Sequence, residues 1–597
     1  MNVSDVITGS AGTDKLQITV AGTAAGSLPA ADITGVENFF VRDVAGAAST
    51  YDFTSVTGEQ QVWADRATND VDFDNLGTGA TVGVKGNGST DLGNVDFNMA
   101  TATDAVNVVL SGGVKNSTAA PTITATAGTA TAAALTSMGA ANTVGAVTLS
   151  GGTNTIETLD ITASTDLTAD LQAADYDSEA TLNISGAGDV DLSGSGVTTF
   201  DTIAAGTATG DLMVAANTTT AKVTLGSGND TLTVAANLVD GASIALGAGN
   251  DTLTGSNSVS ADVTVDGGEG TDSVSSSFIN AGNGGNFNNF ETLLLNSAGT
   301  LDLDLLTGST IEALELGSGA NITLQNVATS QSLSVVENGA TGAALEFDGV
   351  TGASDSYSIS FDAETTGTTA APATVGAGTV TVDGIESISV ASGSAAGVNA
   401  NSITLDADTA ETVTITGDQA LTLDFVAGFG SDTDGDEVTA IDGSAATGDL
   451  DIDITNVPAD AAGLAVTGGA GEDTITTGAF KVSVTGGAGD DTFEVDASNG
   501  LGQIVSITDL AVGDMIDFGA GAFNATKVDV SGATDLEGAV ELADAAGAIS
   551  YFDYSGNTYV VGSGATASDA SDDSIVKLAG IVDLSDSTDA GGVLTFA

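Results

Sequence analysis

Cysteine and histidine are both absent from the 597 residues of this chain, and only nine residues are lysine or arginine. Without cysteine there are no disulfide staples and no thiolate metal centre. Without histidine the usual general base and the commonest transition-metal ligand are missing. A zinc protease of the H-E-x-x-H type and a serine triad are both excluded, and no G-x-S-x-G elbow is present. Nine cations cannot line a phosphate-binding surface, so nucleic acid is excluded as a partner. No run of 18 apolar residues occurs, so no membrane span is expected. The opening Met1-Asn2-Val3-Ser4-Asp5-Val6 has neither a basic nor an apolar segment, so no cleaved signal peptide is expected.

What remains is acidic and rich in glycine. Eighty Asp and Glu give a formal net charge of −71, and 80 residues are Gly. Such charge disfavours a compact state without counter-ions. Divalent ions alone would have to number about 35 to neutralise it, more than any motif set offers. Yet 42% of residues are hydrophobic and only 15% are charged, so the chain has a core to bury and is not an acidic disordered tail.

The most informative stretch is Gly486-Gly487-Ala488-Gly489-Asp490-Asp491-Thr492-Phe493, which spells the turn G-G-x-G-x-D-x-U. The same frame stands 18 residues earlier at Gly468-Gly469-Ala470-Gly471-Glu472-Asp473-Thr474-Ile475. A third is Gly267-Gly268-Glu269-Gly270-Thr271-Asp272-Ser273-Val274. Two more lack only the first glycine, around Gly226, Gly228 and Asp230 and around Gly247, Gly249 and Asp251; these three step by 21. A weaker copy, with Ser10 at the second glycine, ends on Asp14. Two nine-residue repeats make one turn of a parallel β-roll, so frames 18 apart stack. Glycine admits turn dihedrals closed to other residues. Aspartate supplies a hard oxygen, and calcium takes six to eight oxygens from carboxylates and carbonyls. The predicted calcium ligands are therefore Asp230, Asp251, Asp272, Asp473 and Asp491 with the carbonyls of Gly226, Gly228, Gly247, Gly249, Gly268, Gly270, Gly469, Gly471, Gly487 and Gly489. The oxygen-dense Asp432-Thr433-Asp434-Gly435-Asp436 is a further candidate through Asp432, Asp434 and Asp436, with an exposed acidic turn as the equal alternative.

A looser repeat reads apolar–Glu–x–apolar–x–apolar, as in Val36-Glu37, Ile156-Glu157, Phe290-Glu291, Ile311-Glu312, Ile385-Glu386 and Ala410-Glu411. Period-two apolar placement is strand chemistry. The Glu is read as a rung marker at a strand entrance, with a ligand or coil-to-coil contact as the alternative. The fold class expected is all-β: a parallel β-solenoid over 211–500, a mainly β N-terminal domain over 1–210 and a β-rich C-terminal domain over 501–597. The N-terminal part holds five of the nine cations and Trp63, the single tryptophan. Trp63 beside Arg66 is read as a core residue in preference to a sugar platform. Thr122–Ala141 is left open between short helices and loops. A helix capped by Thr534 and Glu537 and a hairpin turning on Ser555-Gly556 are predicted near the end.

These residues resemble the repeats-in-toxin (RTX) proteins over roughly 220–597, most closely over 464–597. The run through ITDLAVGDMIDF, YFDYSGNTYVV and DDSIVKLAGIVDL is similar to that family's C-terminal end. The resemblance implies export by a type I secretion machinery that reads the C-terminus, and calcium-triggered folding outside a Gram-negative cell. Secreted enzymes of the family attach a catalytic domain that has no counterpart here, although paired carboxylates for glycoside hydrolysis are not excluded by counting residues. Phrases such as Ala410-Glu411-Thr412-Val413-Thr414-Ile415-Thr416-Gly417 are similar to the bacterial surface-layer branch. That branch implies a non-enzymatic subunit whose partners are copies of itself and cell-surface polysaccharide or lipopolysaccharide. A secreted adhesin, biofilm matrix protein or glycosidase on an RTX roll is the alternative.

Overall fold

The computed structural model describes residues 6–597 apart from 29–31, 78, 102–104, 150–154, 173–174, 195–199, 235–236, 256–258, 353, 363–372, 394–397, 432–436, 459–462, 496–499, 545–547 and 565–569. It divides into two compact units, Met1–Thr292 with Leu305–Thr310, and Leu293–Asp304 with Ile311–Ala597. The strand Phe200–Ala208 pairs in register with Lys222–Thr224 inside the first unit. Residues 1–210 therefore share that unit with the first calcium-turn set, and the division falls near 292 instead of 210.

Each unit is a parallel β-solenoid, and the coils number about 20 in all. In the first unit a 13-stranded sheet runs from Lys15–Gly22 to Phe287–Asn288. A second parallel sheet opens at Ser49–Asp52 and Val71–Leu76, and short strands Val6–Thr8, Asp32–Thr34 and Val56–Thr57 form a third. In the second unit one sheet runs from Ala298–Asp302 to Met515–Asp517 and another from Ala313–Leu316 to Val505–Ile507.

Alternation places every second side chain inside, and in-register parallel pairing stacks like on like. Leu232, Leu253 and Val274 form one such column, all fully buried. Ile452, Ile475, Phe493 and Ile516 form another. Tyr51, Phe73 and Phe97 stack with centroids 5.7 and 5.1 Å apart. Truncating one side chain of such a column, as in Leu→Ala, costs about 2–5 kcal/mol in well-packed cores.

The segment Thr122–Ala141 forms strands, Ile123–Thr126 and Ala132–Met138, because Ile123, Ala125, Ala133 and Leu135 alternate into the core. The C-terminal residues continue the second unit's sheets, with one further parallel strand, Ser574–Leu578, and otherwise antiparallel pieces. Val593–Thr595 and Thr588–Ala590 cover one sheet. Ser574–Leu578, Asn557–Gly562 and Ile549–Tyr554 extend the other. The last two turn on Ser555 (φ 48°) and Gly556 (φ 82°), the left-handed pair a two-residue hairpin needs. The helix Leu536–Asp544 starts one residue later than the predicted capping box requires. Asp535 Oδ1, not Thr534, accepts the Gly538 N–H at 2.9 Å.

Candidate metal centre

The motif turns stack along one corner of the coils, and a single position distinguishes them from their neighbours. In the coils below the first set, the inward residue at that corner is Leu167, Val190 and then Leu212, each buried. The pairing of Met213 with Thr231, then of Thr231 with Thr252 and Thr252 with Ser273, puts Asp230, Asp251 and Asp272 in the same column. These carboxylates are at most 1% exposed. In the second unit the pairing of Asp451 with Thr474 aligns Leu450 with Asp473, and Asp491 and Asp514 follow. A calcium turn is thus an ordinary corner whose core aliphatic has become an aspartate.

The carboxylates are strung together by the backbone. Leu212 N–H donates to Asp230 Oδ1 (2.9 Å), Asp230 N–H to Asp251 Oδ1 (2.7 Å), Asp251 N–H to Asp272 Oδ1 (2.8 Å) and Asp272 N–H to Glu291 Oε2 (2.9 Å). The second set repeats this with Leu450, Asp473, Asp491 and Asp514 at 2.8, 2.9 and 3.0 Å. Each aspartate therefore spends one oxygen on its neighbour. In the first coil of each set the other oxygen is spent too, on Gly226 N–H (3.1 Å) and Gly469 N–H (2.5 Å). In later coils Gly247, Gly249, Gly268, Gly270, Gly487 and Gly489 take φ between 110° and 143°. Here Asp251 Oδ2 and Asp272 Oδ2 are buried without any hydrogen-bond partner. A Cβ on Gly249 or Gly270 would overlap the carbonyl oxygen of Gly228 or Gly249 one coil below, so the glycines let main-chain oxygens stack at this corner.

Burial raises these acids, and neighbouring carboxylates raise them further. Asp251 is pushed up to about 7, with Asp230, Asp272 and Asp211 adding to the desolvation. Asp230 and Asp491 are pushed up to about 6, again chiefly by burial. Asp272, Asp473 and Asp514 move in the same direction for the same reason. Orphaned buried oxygens, raised acidities and glycine-lined carbonyl columns fit a hard cation, and a bound calcium would supply the positive charge that lets these carboxylates stay ionised. Among the described residues no three acidic side chains converge on one point, so main-chain carbonyls must provide much of any cage.

Asp514, Glu291, Asp211 and Asp449 belong to these corners and lie outside the motif frames. Asp514 follows Val512-Gly513 at a 23-residue step, which an 18-residue period misses. Glu291 makes its repeat position a coil-to-coil contact. Glu37 likewise accepts the Asp14 N–H at 2.7 Å and Glu386 the Asp355 N–H at 2.7 Å. Asp14 itself accepts from Ser10 N–H at 2.5 Å in a half-exposed corner. Asp432, Asp434 and Asp436 lie outside the described residues. The stacking also departs from two calcium turns per coil. Between Asp473 and Gly486 the chain turns at Gly478-Ala479-Phe480, with Phe480 buried, so each coil carries one motif turn.

Trp63 is neither core nor open platform. It lies half-buried on the outer face, stacked on Phe40 (6.0 Å, 5° between planes) with its other face against Gly83, and Lys15 Nζ covers Phe40 at 4.0 Å. Both aromatic faces are taken. Carboxylates also line a cleft of about 520 Å³ in the second unit, with Glu315, Glu337 and Asp362 beside Ser334. Burial, and then Asp362, raises Glu315.

Fold and corner together define a calcium-turn β-solenoid. A family model described as the RTX calcium-binding nonapeptide repeat (4 copies) matches residues 467–501, the Asp473–Asp491 turns. No curated protein matches the chain. The match supports a secreted, extracellular protein with calcium as its metal. No helix among the described residues is long and apolar enough to cross a membrane.

Proposed function

We propose that this chain is a calcium-dependent, self-assembling subunit of a bacterial surface layer or sheath, exported by type I secretion and without catalytic activity. The observation that carries the reading is the pairing of buried, cation-seeking aspartate columns with a strongly acidic chain of net charge −71. Where calcium is scarce, the corner carboxylates and the overall charge oppose folding, which keeps a chain loose for export. Outside the cell, calcium fills the columns and the coils close. Copies of a polyanion then repel within a Debye length of about 8–10 Å. Calcium shared between faces would join them, and surplus carboxylates outside the corners are available for it.

Electron microscopy of purified protein tests this. Ordered sheets or fibres should form with calcium and vanish with chelator. Dispersed particles at every calcium concentration would instead favour the secreted adhesin, and assembly in chelator with high sodium chloride would remove the bridging role of calcium.

A further inference from the structure

Among the described residues, the 13-stranded sheet of the first unit opens on an unpaired strand edge. Lys15–Gly22 is the outermost strand of its sheet, paired on one side with Asn38–Ala45, and nothing among the described residues pairs with its other side. At the C-terminal end of the second unit, by contrast, the antiparallel strands Val593–Thr595 and Thr588–Ala590 cover one sheet. The inward residues of the open strand, Leu16, Ile18 and Val20, are half-exposed, whereas Phe39 and Val41, stacked on Leu16 and Ile18, are fully buried.

Exposed edges are normally guarded by charge, proline or a bulge. The stretch Leu16-Gln17-Ile18-Thr19-Val20 carries none of these. Lys15, the one cation on the strand, leans away from the free edge to cover Phe40 on the neighbouring strand at 4.0 Å. Acidic charge is also sparser around this edge than over the rest of the chain. Residues 1–115 hold five cations against 14 carboxylates, while the other 482 hold four against 66.

We propose that this edge is a contact between two copies of the chain, paired antiparallel about a two-fold axis through Ile18; the inference builds on the self-assembly reading. The strand is self-complementary in that register. Leu16 faces the partner copy's Val20, Gln17 faces its Thr19 and Lys15 faces its Ala21, so apolar meets apolar and no like charges oppose. Each copy then supplies the missing cover for the other's first coil, and the free N–H and C=O groups form a continuous ladder, as in strand addition. A two-fold contact of this kind closes on itself, so it yields a dimer and leaves the other faces free for calcium-bridged growth.

The absence of native cysteine makes a direct test clean. Facing residues of an antiparallel pair lie about 4.5–5.5 Å apart at Cα, inside the range of about 4.4–6.8 Å that a disulfide spans. Full-length Ile18→Cys in calcium should give a disulfide-linked dimer under mild oxidation at least about tenfold faster than Ala21→Cys, whose copies lie far apart in this register. Ile18→Asp, placing two carboxylates face to face, should shift the dimer to monomer in sedimentation velocity while calcium-induced circular dichroism stays unchanged. Equal cross-linking at the two positions, or another polypeptide co-purifying on the edge, overturns the proposal. Sheets or fibres without preferential Ile18 cross-linking sink this contact and spare the assembly reading; the cross-linked dimer without sheets or fibres does the reverse.

Discussion

The coils below the first calcium set and the coils within it differ at two neighbouring corner positions, and the inner one separates a self-sufficient corner from one that needs a cation. In the plain coils the acid sits one residue earlier, exposed at Asp166, Asp189 and Asp211. There Asp166 accepts the Asp189 N–H (3.2 Å), Asp189 the Asp211 N–H (2.9 Å) and Asp211 the Asn229 N–H (2.6 Å). This outer ladder continues through Asn229 and Asn250 into the calcium coils, where the acid has become an amide. The inner column changes in the opposite sense, from Leu212 to Asp230. Charge has moved from solvent to core while the hydrogen-bond pattern of the corner is kept. An exposed carboxylate costs little; a buried one with an unpaired oxygen costs several kcal/mol unless neutralised.

The largest expected effect follows directly. Removing calcium should open the coils around Asp230–Glu291 and Asp473–Asp514 while the coils from Val71–Leu76 to Leu212–Ala216 stay protected. At a hundredfold excess over Kd each site contributes about 2.7 kcal/mol, and several sites exceed the roughly 5–15 kcal/mol of a typical domain. Hydrogen exchange in chelator, resolved by peptide, measures it. Uniform protection in both regions would erase the distinction between the two kinds of corner.

Converting one kind into the other should produce effects of opposite sign. Asp251→Leu rebuilds the Leu212 corner inside the calcium set. In chelator it should raise stability in urea by about 1–4 kcal/mol, the gain seen when buried charge gives way to well-packed aliphatic; in calcium it should lower the titrated stoichiometry. Gly249→Ala should instead weaken the fold in both conditions by at least about 1–2 kcal/mol, since its φ of 130° is left-handed and its Cβ overlaps the Gly228 carbonyl. A destabilised Asp251→Leu in chelator would mean that the column is held by hydrogen bonding alone.

The same comparison explains what the sequence could and could not reveal. The parallel solenoid and the five motif aspartates were legible because alternation and glycine spacing are local patterns. The clustering of cations and Trp63 suggests a boundary near 210, but coil stacking depends on inward aliphatics, and those continue through Ile203, Val223 and Ile244. Asp514 and Glu291 were hidden because coil length varies, from 18 residues between Asp473 and Asp491 to 23 between Asp491 and Asp514. The period identifies a coil, whereas register identifies which acid joins the corner column.

Acidity offers a finer contrast. The folded, calcium-free protein holds Asp251 near 7 and Asp230 and Asp491 near 6, against about 3.9 in an unfolded chain. Raised folded values mean that the folded state binds protons more tightly. Its stability from these groups is therefore full below about pH 4 and is lost as pH rises through about 6–7. Calcium competes with those protons, so its affinity should fall as pH drops from about 7 to 5. Denaturation midpoints at pH 5 and 8 should thus rank oppositely in chelator and in saturating calcium. Parallel trends would show that the corner acids are not the titrating groups.

The smallest effect belongs to the plain corner. Asp189 is exposed, accepts one N–H from Asp211, and donates its own N–H to Asp166 through a backbone group that survives substitution. Asp189→Ala removes a single acceptor that water can replace, so it should cost no more than about 0.5–1.5 kcal/mol. Because its carboxylate points to solvent one residue ahead of the inward column, calcium stoichiometry should not change. Asp251→Ala, one residue position inward and three coils along, should abolish binding at its own corner. Isothermal titration of the two variants side by side measures the difference. If Asp189→Ala also lowers the stoichiometry, the outer ladder binds calcium too, and the corner with an aliphatic inside is a metal site in its own right.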